Sequence, residues 1–305
     1  MEFDVSIIIV NYHTSGLIAD CVRSIYEKTT GIRYEIIIVD NNSEPDLPEI
    51  IGKLVKNDLT KSIRYIDLPE NIGFGRANNE GVKMATGRNI LFLNPDTLLV
   101  NNAIKILSDF LDQHDRAGGC GGNLLDEEEC PIFSYKKFLP GLEWEINELF
   151  NNKIQEIIYG NRKHYFNDSE KAKKVGYITG ADLMVKMKVI EKIGCFSPEF
   201  FMYYEETDLC ARIRKAGFIL YSVPQAKIIH LESKSFSDSA SYQSELKTKM
   251  IENSRKIYNR RNLPIWKQKI CDVIYNLFLL SRIKLVRNNN KRQYYILRRK
   301  FFKQD

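Results

Sequence analysis

Several familiar signatures are missing from this 305-residue chain, and each absence removes a class of function. Its six cysteines (Cys21, Cys120, Cys130, Cys195, Cys210 and Cys271) form no CxxC pair. Neither a zinc site nor a disulfide framework is signalled, and reduced thiols in a cytosolic protein are the expectation. The opening residues, "MEFDVSIIIVNY", carry no basic flank, long apolar stretch or small-residue cleavage site, so no secretion signal is expected. The apolar run "VIYNLFLL" (273–280) near the other end is too short to cross a bilayer. No GxGxxG occurs, and no Gly-Lys-Ser/Thr follows the one glycine-rich stretch, which sets aside dinucleotide dehydrogenases and P-loop NTPases. No internal repeat is visible. What remains is ordinary for a globular protein: 44% hydrophobic and 28% charged residues, ample for a core of one large domain or two small ones.

Charge is distributed unevenly. The net charge is +6, yet the segment 264–305 alone holds eleven Lys or Arg against Asp272 and Asp305. A mildly acidic body with a strongly basic tail points to one localised anionic partner and away from a nucleic-acid surface spread over the fold.

The first hundred residues alternate strand and helix. "VSIIIV" (5–10) is a β-branched run suited to a strand covered on both faces. A helix is predicted around Leu17–Tyr26, strands at Glu35–Asp40 and Ile63–Asp67, a helix over Gly75–Ala85, and a strand at Asn89–Leu93. This order implies right-handed crossovers and a mostly parallel sheet flanked by helices, an α/β class. Such sheets bind ligands beyond the carboxyl ends of their strands. Asn11, Asp40, Asp67 and Asp96 all follow apolar strand cores, so they are expected along one edge. Turn formation explains any one of them; four at successive strand ends favour a site. Residues 126–175 have little periodicity. Beyond them "GYITGADLMVKMKVIEKIGCF" reads as strand–turn–strand or strand–helix. A helix from Glu205 to Lys215 stopped by Gly217 and a strand ending at His230 follow.

Within "LFLNPDT" (91–97), Asp96 sits on a proline-stiffened turn at the sheet rim. A lone carboxylate there suits a divalent cation shared with substrate phosphates, because Mg²⁺ keeps most of its waters and needs few protein oxygens. "ENIGFGRANNEG" (70–81) lies beside it in sequence. Gly73 and Gly75 open a helix whose amino-terminal N–H groups and dipole favour an anion.

These pieces together, in the order "VSIIIVNY", "IIIVDNNS", "ENIGFGRANNEG", "LFLNPDT", "GYITGADLMV" and "FFMYYEETDLCARIRKAG", resemble the family 2 glycosyltransferases. These are inverting enzymes of the GT-A fold, a Rossmann-like α/β architecture, and the likeness is greatest to the rhamnosyltransferase branch. The resemblance covers roughly residues 4–235. It implies that Asn11 and Tyr12 lie near the nucleotide base, that Asp40 hydrogen-bonds the pyrimidine, and that Asn71, Gly73 and Gly75 line the diphosphate and ribose. Asp96 would be the carboxylate that binds Mg²⁺ or Mn²⁺. Asn94 stands where many members have the first Asp of a DxD, which leaves it a ribose contact without charge. The "ED" motif matches Glu205-Glu206 and assigns the catalytic base to Glu206, where most members have Asp. Glu205 and Asp208 are the other carboxylates in reach of that role. Asp208 also precedes Arg212 by four residues, the spacing of a helix ion pair. Glu205 and Glu206 project about 100° apart, so one of them faces the cleft. His230 resembles the histidine that completes metal binding, although the usual "HxxGxS" reads "HLESKS". Asp182 falls in the segment that borders the acceptor.

The resemblance implies a donor that is a dTDP- or UDP-sugar and an acceptor that is a glycan or lipid-linked glycan of surface polysaccharide synthesis. The alternative is a non-catalytic assembly protein of the same fold that binds nucleotide or membrane. Residues 1–125 are expected to form the nucleotide-sugar half, 126–235 the acceptor and catalytic half, and 236–305 a helical basic extension. Apolar and basic residues interleave in 264–305, which fits an amphipathic helix lying on an anionic membrane surface. This makes the protein cytoplasmic and peripheral on the inner face of the cell membrane. A helix packed on the body or a homo-oligomer interface is the other use of such a segment.

Overall fold

The computed structural model describes residues 2–43, 49, 63–150, 153, 165–231 and 242–304. Strand β1 (Phe3–Asn11) runs up the middle of the molecule. Its odd-numbered core residues Val5, Ile7 and Ile9 pack on one face of the sheet, and Ile8 and Val10 on the other. Side-chain alternation along a strand covered on both faces produces these two apolar layers. The first layer is closed by α1 (Ser15–Lys28) through Ile18, Cys21, Val22 and Ile25, and by α3 (Ala103–Gln113) through Ile104, Leu107 and Leu111. The second lies under α2 (Phe74–Met84), α5 (Met187–Ile193) and α6 (Glu205–Lys215).

Next to β1 stand β2 (Tyr34–Asp40) and then β3 (Ile63–Asp67) on one side, and β4 (Gly87–Leu93) on the other, all parallel. The register pairs Asn11 with Asp40, and Asp40 with Asp67. The four polar residues expected along one edge therefore do end neighbouring parallel strands, with Asp96 on the turn after β4. Asp67 is exposed at the outer strand.

The parallel pattern then breaks. β10 (Asp182–Lys186) inserts antiparallel between β4 and β6 (Ala117–Leu125). β11 (Ile219–His230) pairs parallel to β6 but antiparallel to β5 (Thr97–Leu99) and β8 (Lys173–Val175). The order is β3-β2-β1-β4-β10-β6-β11-β5, a mixed sheet whose parallel half carries the alternating motifs. One residue run could not disclose this, because β10 joins strands far earlier in the chain, pairing Met184 with Leu91 and with Cys120. A small second sheet joins β7 (Tyr135–Lys136) to β9 (Tyr177–Ile178). In the weakly periodic segment before it, α4 (Leu142–Leu149) still forms, with Leu142, Ile146 and Leu149 on one side.

Three helices follow: α7 (Tyr242–Asn262), α8 (Ile265–Leu285) and α9 (Asn289–Phe302). α7 packs on α6 through Tyr258, against Phe200 and Ala211. Tyr275, Phe278 and Leu279 of α8 meet Leu149 of α4 and Tyr295 and Phe302 of α9. Buried charges bind this bundle. Arg255 pairs with Glu145 at 2.8 Å and lies over the Tyr275 ring at 3.7 Å, while Arg298 pairs with Glu252 at 2.6 Å. The inward half of the amphipathic tail is thus spent on the body. Among the described residues, no helix is long and apolar enough to cross a membrane.

Candidate active site

At the end of β1 the Asn11 amide is fully enclosed. Its Nδ2 donates to Asp40 Oδ1 (2.9 Å) and Ser43 Oγ (2.8 Å), and its Oδ1 accepts from the Thr14 N–H and hydroxyl. Asn11 therefore orients Asp40 and has no surface left for a base. Asp40 also accepts from the Tyr65 hydroxyl at 3.3 Å, a contact invisible to motif reading. Tyr12 is 45% exposed and leans on His13 with ring centroids 4.4 Å apart. Its ring offers an exposed apolar face at this strand end.

A second network ties this corner to the glycine segment. Asn41 Nδ2 donates to Asn71 Oδ1, Asn41 Oδ1 accepts from the Ile72 N–H, and Asn71 Oδ1 also accepts from the Gly73 N–H, each at 2.9 Å. Gly73 has φ +89°, and a Cβ there would come within 2.4 Å of the Phe201 carbonyl oxygen. Only glycine fits this left-handed, tightly covered position. The Phe74 N–H donates to that same carbonyl at 3.0 Å. Two of the amides expected to await an anion are therefore already used, that of Gly73 by Asn71 Oδ1 and that of Phe74 by the carbonyl of residue 201.

Asn94, Asp96 and His230 do come together, where β4 and β11 end. His230 Nε2 lies 3.3 Å from Asp96 Oδ1 and 3.2 Å from Asn94 Nδ2. The Leu231 N–H donates to the Asp96 carbonyl at 2.9 Å, which pins the two elements. The rest of the "HLESKS" match, from residue 232, falls outside the described residues. Asp182 sits behind this group. It is completely buried, its Oδ2 accepts the Gly122 N–H at 2.5 Å, and burial pushes its carboxyl up to about 7 against the opposing pull of that N–H and of His230. Asp182, in the segment expected to border the acceptor, is thus enclosed and holds Gly122 of β6.

The carboxylates of α6 sit at its amino terminus, where the dipole favours negative charge. Two consecutive left-handed residues, Tyr203 (φ +68°) and Tyr204 (φ +67°), turn the chain into this helix, a costly geometry that concentrates at functional sites. Glu205 points beneath α2: a Cβ on Gly75 would lie 3.4 Å from Glu205 Cβ. Glu206 points the other way, toward the turn between β9 and β10. A Cβ on Gly180 would lie 3.7 Å from both Glu206 Cβ and Phe74 Cε1. Burial raises the carboxyls of both, and the proximity of Glu206 raises Glu205 further. Asp208 makes the expected ion pair with Arg212 (2.8 Å), and also accepts from Asn262 Nδ2 (2.8 Å) and Arg261 Nε (3.2 Å) of α7. It is a fully buried joint between α6 and α7.

The turn Thr179–Ala181 links all of these motifs. Its Ala181 carbonyl accepts the Asn94 N–H at 3.0 Å, while neighbouring Gly180 abuts Glu206 and Phe74. The "NPD" turn, the opening of α2 and the "EE" pair therefore surround three consecutive residues. Sequence reading passed over Thr179 and Gly180; the only signal was their place inside "GYITGAD".

Comparison with known proteins gives this arrangement a family. The model of "Glycosyl transferase family 2" matches residues 6–194, well over half of the chain. The chain belongs to that family. It is a glycosyltransferase of the rhamnosyltransferase-like kind, similar to the N-acetylglucosaminyl-diphospho-decaprenol L-rhamnosyltransferase of Mycobacterium tuberculosis, with 25% identity over 66% of this chain and 67% of that protein. It is also similar to the low-salt glycan biosynthesis hexosyltransferase Agl10 of Haloferax volcanii, with 26% identity over 74% of this chain and 67% of that one. The fold is GT-A. Mannosyltransferase PcManGT from Pyrobaculum calidifontis, solved with GDP-Man and Mn²⁺, superposes with a TM-score of 0.60 at 11% identity, covering 99% of this chain and 85% of the other. S. aureus TarS 1-349 in complex with UDP-GlcNAc gives 0.55 at 16% identity, over 94% and 74%.

The residues at the β4–β11 corner suit a divalent ion. A hard carboxylate and an imidazole, 3.3 Å apart, are a donor set that Mg²⁺ or Mn²⁺ accepts when phosphate oxygens and water complete the shell. Among the described residues no cluster of three His, Cys, Asp or Glu offers an all-protein cage.

Proposed function

We propose that this glycosyltransferase moves a sugar, rhamnose in our reading, from a dTDP- or UDP-sugar to a hydroxyl of a glycan or lipid-linked glycan in surface polysaccharide synthesis, with inversion. The observation that carries the reading is the contact of one turn, Gly180–Ala181, with both Glu206 and Asn94. The same turn thereby touches the half-buried Glu206 and the segment that carries Asn94 and Asp96. Residues 1–125 hold the donor, 126–235 the acceptor and the base, and 236–305 extend the body.

The acceptor hydroxyl is a weak nucleophile at neutral pH, so a positioned base must take its proton as the new bond forms. Glu206 fills this role. Desolvation raises its proton affinity, which makes it a better base near neutrality than an exposed carboxylate. A single base on the face opposite the leaving group gives one displacement and inverts the anomeric centre. On the donor side, Tyr12 stacks on the base, Asp40 accepts from it, and the rigid 71–75 segment borders the ribose and diphosphate. Asp96 and His230 would hold Mg²⁺ or Mn²⁺, which when bound offsets the charge that builds on the departing diphosphate as a Lewis acid. The names of two relatives, an L-rhamnosyltransferase and the dTDP-rhamnosyl transferase RfbF of Shigella flexneri, support rhamnose and a thymidine donor.

Donor hydrolysis with Mn²⁺ or Mg²⁺ tests the reading. It should be present in the wild type and fall at least a hundredfold in Glu206→Gln and Asp96→Ala; normal turnover of Glu206→Gln would remove the base assignment.

Peripheral membrane binding is part of the same proposal. Trp266, Ile270, Val273 and Leu277 are 57%, 41%, 61% and 50% exposed, and their spacing aligns them along the outer side of α8 over three turns. Lys267, Lys269 and Lys284 accompany the stripe. A tryptophan-tipped apolar stripe with flanking ammonium groups suits the headgroup region of an anionic bilayer. Flotation with phosphatidylglycerol vesicles should be lost in Val273→Glu/Leu277→Glu; concentration-dependent dimerisation abolished by the same changes, without flotation, would assign the stripe to an oligomer.

A further inference from the structure

Across the small β7–β9 sheet, Lys136 stands directly opposite Tyr177. Directly paired residues of antiparallel strands project to the same face. The opposite face is buried through Tyr135 and Ile178, and Lys136 and Tyr177, both half-buried, share the other. Phe133 and Trp144 join them there. The Tyr177 ring lies 6.4 Å from each, and the Lys136 ammonium sits 4.7 Å from the Trp144 ring centre and 5.2 Å from that of Phe133. All four residues are half-buried.

Two properties of this group ask for a ligand. An ammonium carries three N–H donors, yet Lys136 has no oxygen acceptor among the described residues, and two π faces satisfy only its charge. Burial accordingly lowers its proton affinity, with Glu148 of α4 the one carboxylate that opposes the effect. The second property is position. Tyr177 begins the strand that leads into Thr179–Gly180, and the Glu206 carboxylate acts on its buried hydroxyl. The aromatic patch is thus joined, through β9, to the Gly180 turn that abuts Glu206.

We propose that Lys136, Trp144, Phe133 and Tyr177 form the acceptor platform, and that the acceptor it takes is a glycosyl phosphate or diphosphate. The C–H face of a pyranose stacks on the exposed ring surfaces, as apolar faces do on aromatic ones. The phosphate oxygen on the anomeric carbon supplies the acceptors that the ammonium lacks, a charge-assisted contact strengthened by the partly desolvated setting. This deepens the function proposed above and rests on it only for the direction of transfer.

The chain has two tryptophans, so Trp266→Phe leaves Trp144 as the sole indole fluorophore. In that background, with UDP, dTDP and Mn²⁺ present to fill the donor pocket, N-acetylglucosamine 1-phosphate should quench the emission saturably. N-acetylglucosamine alone should bind at least tenfold more weakly, as should inorganic phosphate. Lys136→Met should weaken the sugar phosphate tenfold or more, and Lys136→Arg, which keeps the cation over the rings, should restore it to within about threefold of Lys136. Equal binding of inorganic phosphate, or unchanged binding in Lys136→Met, would overturn the platform. The titration reads binding without turnover. Normal donor hydrolysis in Glu206→Gln would therefore remove the proposed mechanism and leave the platform standing, and a silent titration would do the reverse.

Discussion

Replacing Asp208 separates a structural carboxylate from a catalytic one within a single helical turn. Its side chain is 1% exposed and receives three donors: Arg212 Nε, Asn262 Nδ2 and Arg261 Nε. Asp208→Ala leaves two guanidinium groups and an amide facing a small void. Removing one partner from a buried ion pair costs roughly 3–5 kcal/mol. Here the two arginine side chains are 18% and 30% exposed, so water recovers part of their solvation. Arg212 also keeps the carbonyls of Ile193, Gly194 and Cys195 as acceptors. The lower end, about 3 kcal/mol, is expected. For a chain of this size that lowers the melting temperature by roughly 5 °C. Thermal unfolding followed by circular dichroism reads the shift, and donor hydrolysis measured well below the melting temperature should stay within about threefold of wild type. Glu206→Gln should show the opposite pair of results: activity lost and the melting temperature unchanged or raised, because a half-buried like-charge neighbour of Glu205 is neutralised. An Asp208 variant that melts like the wild type but has lost hydrolysis would refute the reasoning and make Asp208 part of the chemistry.

Gly73→Ala should weaken dTDP or UDP binding at least tenfold by calorimetry, since its Cβ would strike the Phe201 carbonyl and the 71–75 segment must move. Asp182 binds its proton more tightly in the folded protein, near 7, than at its ordinary value of 3.8. Its ionisation therefore destabilises the fold increasingly as pH rises from about 4 to 7, and the loss is complete above 7. Urea midpoints should fall over that window in the wild type and fall less in Asp182→Asn; parallel profiles would refute it. Asn94→Asp adds a second carboxylate beside Asp96 and His230, and should tighten Mn²⁺ binding by about tenfold, or about 1.4 kcal/mol, read by electron paramagnetic resonance of free Mn²⁺.

Much of the site was legible in the chain because its signals are local. β-branched runs made β1 and β2, apolar spacing made α1, and the polar residues after each strand fell at one edge because parallel strands end on the same side. The Asp208–Arg212 pair followed from helix pitch alone. The places where sequence reading stopped short share a cause. Asn11, Asp182 and the Phe74 amide at the start of α2 looked available to ligands, and each is occupied by a partner distant in sequence: Asp40, Gly122 and residue 201. Whether a polar group is satisfied is a property of the packed molecule.

By itself the sequence determined the element types, the parallel amino-terminal half of the sheet, the family and the identity of the charged residues around the cleft. Tertiary structure decided which way β10 runs, which of the adjacent Glu205 and Glu206 meets the Gly180 turn, and that α7 clamps Asp208 from more than fifty residues away. It also decided that half of the basic tail is consumed by packing while Trp266 and its neighbours stay outside. Periodicity and turn chemistry act over a few residues and can be read in order. Burial, charge pairing and the facing of one side chain by another depend on distances that exist only once the chain has closed on itself.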